Sequence, residues 1–157
     1  MTETKAYRRG TILFREGDPG ECMYDIQFGR VGIYHDYGGP NEKRIAVLAT
    51  DDYLGEMGLL EGAPRSATAV VLDDNTAICT IKEDDFYEYF EQNPAKILML
   101  MQQMCTRLRK TTKDYVEACK TVYDTVEAEK AGEKKSGSLL ERIQKFCNFY
   151  RDFGSHV

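Results

Sequence analysis

The segment 54–68, Leu-Gly-Glu-Met-Gly-Leu-Leu-Glu-Gly-Ala-Pro-Arg-Ser-Ala-Thr, gathers the side chains best suited to chemistry. Gly55, Gly58 and Gly62 stand beside one carboxylate, Glu56, and one guanidinium, Arg65. Glycine lets backbone amides come close to an anion, and a short helix beginning near Met57 turns its free N–H groups toward one. Arg65 offers a planar fork of donors that matches a phosphate. A carboxylate in the same pocket repels phosphate, so Glu56 has to face donors such as sugar hydroxyls. Together these residues suit a small phosphorylated sugar. They also fit a plain glycine-rich turn held by a Glu56–Arg65 ion pair, and the local pattern alone leaves both readings open.

Other chemistries find few residues to carry them. His35 and His156 are the only histidines and are not spaced for a metal with any acidic pair, so no metal is expected. The five cysteines, Cys22, Cys79, Cys105, Cys119 and Cys147, form no CxxC pair and no iron–sulfur cluster. An odd number of them, with no signal peptide, implies free thiols in a reducing cytoplasm. No Ser–His–Asp or Cys–His arrangement stands out, and Asp51-Asp52 and Asp84-Asp85 read as turn and helix-start residues. The expectation is a binding protein and not an enzyme. A net charge of −5 gives no nucleic-acid footprint in the bulk electrostatics. No apolar run approaches the roughly 18 residues of a membrane span, and the N-terminus is too polar for a secretion signal.

The elements that must position this segment change character along the chain. Up to about Ile81 the sequence reads as β. Short runs rich in β-branched and aromatic residues cover Thr11–Phe14, Met23–Phe28, Arg30–His35, Arg44–Ala49, Ala67–Leu72 and Thr76–Ile81. Turns fall at Glu16–Gly20, Gly38–Asn41 and Asp73–Asn75. Many short strands with such turns predict a sandwich, jelly roll or roll over residues 1–93.

Helices follow. Phe86, Tyr89 and Phe90 share one face of a short amphipathic helix over 83–91. Asn93-Pro94 supplies an N-cap and a proline at the first helical position of a long helix over 94–130. Met101, Met104, Leu108, Thr111, Tyr115, Ala118 and Val122 step alternately by three and four along it, a heptad seam that predicts a homodimer. A polar break at 131–137 precedes a capping box, Ser138 to Glu141, and a last amphipathic helix over Leu139–Phe153.

The segment 54–68 resembles the phosphate-binding cassette of the cyclic-nucleotide-binding domain family: Gly-Glu, a short helix, then Pro-Arg-Ser-Ala-Thr. The likeness extends to Gly10–Asp18, similar to the family's opening strand and turn, and to Met23–Val31, similar to its next hairpin. Phe86 to Asn93-Pro94 and the long helix resemble the sensor half of the catabolite-activator branch, so the likeness covers roughly residues 8–125. The fold it implies is mainly β with helices: a β-roll or jelly roll, a long C-terminal helix and a terminal amphipathic helix.

The resemblance implies that Glu56 accepts from the ribose 2′-hydroxyl and Arg65 neutralises the cyclic phosphate. Backbone amides near Gly55, Met57, Gly58, Ser66 and Ala67 complete the cradle, with the Ser66 hydroxyl a further donor. Thr111 and Thr112 stand where the catabolite-activator branch places a pair of hydroxyl residues that touch the base, one of them from the partner subunit. The ligand implied is a cyclic nucleotide, cyclic AMP ahead of cyclic GMP. The branch continues into a helix-turn-helix DNA reader, for which the residues after Lys130 are too few. The last helix expected in this chain carries Glu141, Arg142, Lys145, Arg151 and Asp152, a mixed face and not a basic one. The expectation is a cytoplasmic sensor module that dimerises and signals to an unidentified protein partner, without a DNA-binding domain or membrane contact. The alternative is a degenerate, ligand-free domain that serves as a dimerisation and docking scaffold.

Overall fold

The computed structural model describes residues 2–130, so the expected linker, the last amphipathic helix, Cys147 and His156 lie outside the described residues. Among the described residues, eight strands build two four-stranded antiparallel sheets. One sheet runs in the order β1 (Glu3–Tyr7), β8 (Thr76–Lys82), β3 (Cys22–Phe28) and β6 (Tyr53–Leu54). The other runs β2 (Ile12–Phe14), β7 (Thr68–Val71), β4 (Val31–His35) and β5 (Lys43–Leu48).

Alternation along the strands creates two cores. On β3, Met23 and Asp25 point to one face, Tyr24 and Ile26 to the other. Ile26, Leu54 and Ile78 join Val31, Leu48, Ala69 and Val71 in a core shared by both sheets. Met23, Tyr53, Cys79 and Ile81 form a second core on the opposite face of the first sheet. The helices cover that second face. A single 3-10 turn, Glu83–Asp85, leads into α2 (Phe86–Gln92), and α3 (Pro94–Lys130) follows. Tyr89 and Phe90 of α2 and Leu100 of α3 complete the second core. Burying such side chains is worth roughly 1.5–3 kcal/mol each, enough to hold a short helix that would not persist in water alone.

Two strands escape the sequence pattern. β1 carries four exposed residues and is held by main-chain pairing to β8, from Glu3 opposite Thr80 to Tyr7 opposite Thr76. β6 has two residues, too few to show alternation, yet Tyr53 enters one core and Leu54 the other. The strand expected at Arg44–Ala49 ends one residue earlier, because the Ala49 N–H donates to the Asp52 carboxylate at 2.8 Å. Asp51 beside it takes a left-handed backbone, φ 71°, in keeping with a turn. Asn93 departs from its expected role: its side-chain amide donates back to the Tyr89 carbonyl of α2 at 2.9 Å, so it closes α2 at the junction.

The chain divides into two units, Met1–Gln103 and Met104–Val157. The first holds both sheets and the opening turns of α3; the described part of the second is the rest of that helix, which has 37 residues in all. Of the heptad seam, Met101, Met104, Leu108, Thr111 and Tyr115 are exposed, Val122 is half-buried and Ala118 is buried.

Candidate functional site

β6 delivers the chain into Gly55, whose backbone is left-handed at φ 76°. Only glycine suits this position, because a Cβ there would also lie 2.5 Å from the Arg65 Nη1. Gly55 caps α1 (Glu56–Glu61), so the short helix expected near Met57 begins one residue earlier. Glu56, its first residue, is buried, a favourable end for a carboxylate in the helix field. Met57 is exposed and Gly58 buried. The helix ends at left-handed Gly62, and the Ala63 N–H donates to the Gly58 carbonyl at 3.1 Å.

Arg65 returns to the start of this helix. Its Nη1 donates to the Gly55 carbonyl at 2.8 Å and its Nη2 to the Cys22 Sγ at 3.4 Å. The guanidinium lies 4.5 Å from the Phe14 ring centre and 5.8 Å from that of Tyr24, and those two rings stack on each other. Arg65 is only 4% exposed, and its Nε has no hydrogen-bond partner. A buried cation with an unsatisfied donor is costly, and an anion placed against it repays that cost. Tyr24 remains a neutral hydroxyl here, since burial first and contact with Cys22 second push its ionisation well above the ordinary tyrosine range. Ser66 is exposed and Ala67 buried where the chain enters β7.

The turn between β2 and β3 buttresses the cassette. The Gly17 N–H donates to the Arg65 carbonyl and the Arg65 N–H to the Asp18 carbonyl, each at 2.8 Å. The Glu16 N–H donates to the Thr68 hydroxyl at 3.0 Å. Gly20 presses backbone against backbone: a Cβ there would lie 2.4 Å from the Ala63 oxygen and 2.7 Å from the Gly58 Cα. Sequence reasoning read Gly20 only as a turn residue, and missed Phe14 and Tyr24 as the seat of the guanidinium. Nothing local in the sequence signals these contacts, which join residues far apart in the chain.

Folding therefore gathers Gly55, Glu56, Gly58 and Arg65 at one place. Thr111 and Thr112 belong to the second unit; both are exposed, and the Thr112 hydroxyl donates to the Leu108 carbonyl at 3.0 Å, one turn back on its own helix. Among the described residues no group of His, Cys, Asp and Glu is arranged to hold a metal, and no helix is long and apolar enough to cross a membrane.

A family profile described as "Cyclic nucleotide-binding domain" matches residues 4–93. The chain is 32% identical over 82 residues to the cyclic AMP receptor protein of Thermus thermophilus, spanning 52% of this chain and 38% of that protein. In structure it resembles the Thermus thermophilus catabolite activator protein with a TM-score of 0.64 at 21% identity, covering 98% of this chain and 80% of that one, a likeness of fold alone. The regulatory domain of Toxoplasma gondii PKA, solved with cAMP, matches with a TM-score of 0.50 at 32% identity, covering 55% of this chain and 33% of that one.

Proposed function

Since the chain belongs to the cyclic nucleotide-binding domain family, we propose that it is a regulatory module that binds cyclic AMP, in preference to cyclic GMP, dimerises through α3 and signals to a protein partner. The observation that carries this reading is Arg65: a buried cation beside the first turn of α1, with its Nε unpartnered. The cyclic phosphate sits against this guanidinium and the amides of Met57, Gly58, Ser66 and Ala67. Glu56 accepts from the ribose 2′-hydroxyl. The receptor of Thermus thermophilus is named for cyclic AMP, and that supports the choice of base.

Titration calorimetry with cyclic AMP and cyclic GMP tests the reading, with Glu56→Gln as the variant. Micromolar or tighter binding of cyclic AMP is expected. Glu56→Gln weakens it about 10- to 100-fold, the worth of one hydrogen bond to a charged group. Absence of heat with either nucleotide, on folded protein stripped of carried-over ligand, sinks the sensor reading and leaves a docking scaffold as the better account.

The apolar residues of α3 support the dimer. Leu108 is 68% and Tyr115 59% exposed, a costly surface unless a second helix covers it. In the dimer Thr111 and Thr112 contact the base, so ligand preference for one helix arrangement shifts the helices. Light scattering should give a mass of two chains. Thr111→Ala with Thr112→Ala should weaken cyclic AMP binding several-fold and narrow its margin over cyclic GMP; unchanged affinity and preference would remove the threonines from the site.

A further inference from the structure

The opening turns of α3 grip the sheet at one cross-strand pair. β3 and β6 place Asp25 opposite Tyr53. Lys96 in the first turn of α3 donates to the Asp25 carboxylate at 2.5 Å. Tyr89 of α2 donates to the same carboxylate, and Lys96 also reaches the Tyr89 hydroxyl at 2.9 Å. Asp25 is buried at 1% exposure, and Lys96 and Tyr89 supply the partners that a buried carboxylate needs. Two helical turns on, Gln103 takes the other member of the pair. Its Oε1 accepts from the Tyr53 N–H at 2.8 Å, and its Nε2 donates to the Tyr53 carbonyl at 2.9 Å. β6 is an edge strand, and the Gln103 amide gives it the paired bonds that a further strand would supply.

The next cross-strand pair belongs to the phosphate site. Tyr24 stands opposite Leu54, its ring beneath Arg65, and Leu54 leads directly into Gly55, whose carbonyl Arg65 holds. The helix anchor and the phosphate cradle thus occupy neighbouring residues of the same two strands. Only Leu54 separates the residue that Gln103 holds, Tyr53, from Gly55 and the first residue of α1.

We propose that Gln103, assisted by Lys96, is a positioning residue for the ligand site: it fixes β6 and so sets the cassette, making cyclic-nucleotide affinity depend on how α3 is seated. This rests on the sensor reading above. By linkage the dependence runs both ways, so bound nucleotide tightens the seat of the helix.

The test compares wild type, Gln103→Leu, Gln103→Glu and Lys96→Met, all as the full chain, by calorimetry with cyclic AMP and by amide hydrogen exchange with and without it. Gln103→Leu keeps the bulk and loses both bonds; cyclic AMP affinity should fall about tenfold. Gln103→Glu retains an acceptor for the Tyr53 N–H and should fall between it and wild type. In wild type, saturating cyclic AMP should slow exchange over residues 97–103; in Gln103→Leu at saturation that response should vanish. Loss of stability alone cannot mimic this pattern, because the variants are compared folded and saturated. Should Gln103→Leu not fold, the other two variants carry the same comparison. Equal affinities and an intact exchange response in the variants would overturn the proposal while leaving the sensor reading standing. Failure of wild type itself to bind cyclic AMP would instead bring down that reading, and this inference with it.

Discussion

Arg65→Ala should weaken cyclic AMP binding by at least about 30-fold, the lower edge of the roughly 2–5 kcal/mol lost when one member of a buried, hydrogen-bonded charge pair is removed. The effect is large because the guanidinium itself is buried. Arg65 is 4% exposed and lies against the Phe14 and Tyr24 rings, so water does little to screen its charge from a phosphate. The unliganded protein should respond very differently. Removing a buried cation also removes its desolvation penalty, which offsets much of the lost packing against Phe14. Arg65→Lys separates charge from shape. Lysine restores the charge as a point on a flexible stem, but cannot donate to the Gly55 carbonyl and a phosphate through one planar fork. It should recover only part of the affinity. Calorimetry gives the affinities, and thermal melting with and without cyclic AMP separates binding from folding. Wild-type affinity in Arg65→Ala would mean that this guanidinium holds the cassette together and does not meet the ligand.

The strands legible in the sequence are those with a run of β-branched or aromatic residues long enough to read, each placing side chains in at least one core. β3 and β8 each send residues to both faces of the first sheet, and that demand is written in their residue types. β1 and β6 are specified otherwise. β1 is fastened through its backbone to β8, and β6 through the Gln103 amide and its pairing with β3. Main-chain bonds leave no mark on side-chain type, so periodicity passes over both. The same division runs through the site. Glycine, carboxylate and guanidinium in 54–68 singled the segment out but fitted an ion-paired turn as well, and the resemblance to the family's cassette carried the choice between them. The contacts that make it firm, Phe14 and Tyr24 under Arg65 and Gly20 against Gly58, arise from topology. Asn93 illustrates a local rule overruled by context: it has the right type and place to cap α3, but its side chain is turned to the end of α2, where its amide donates to the Tyr89 carbonyl.

Gly20→Ala should lower cyclic AMP affinity about tenfold and also lower the melting temperature. Gly20 does not have a left-handed backbone, so the new methyl group creates no conformational strain of its own. The difficulty is space. Its Cβ would meet the Ala63 oxygen at 2.4 Å and the Gly58 Cα and carbonyl carbon at 2.7 Å. All three are backbone atoms, so no side chain can swing aside, and the turn or α1 must move. Overpacking of this kind costs about 1–3 kcal/mol, or roughly 2–4 °C in Tm for each kcal/mol at this chain length. Because the displaced atoms belong to α1 and to the residue two before Arg65, the same movement spoils the phosphate cradle. Gly38→Ala supplies the contrast. Its backbone is left-handed at φ 81° with nothing within 4 Å of the added Cβ, and alanine there costs about 1–2 kcal/mol through backbone strain alone. The two variants should therefore melt at similarly reduced temperatures, yet Gly38→Ala should bind cyclic AMP as wild type does. Equal affinities in both would show that the turn at Gly20 supports the fold without governing the cassette.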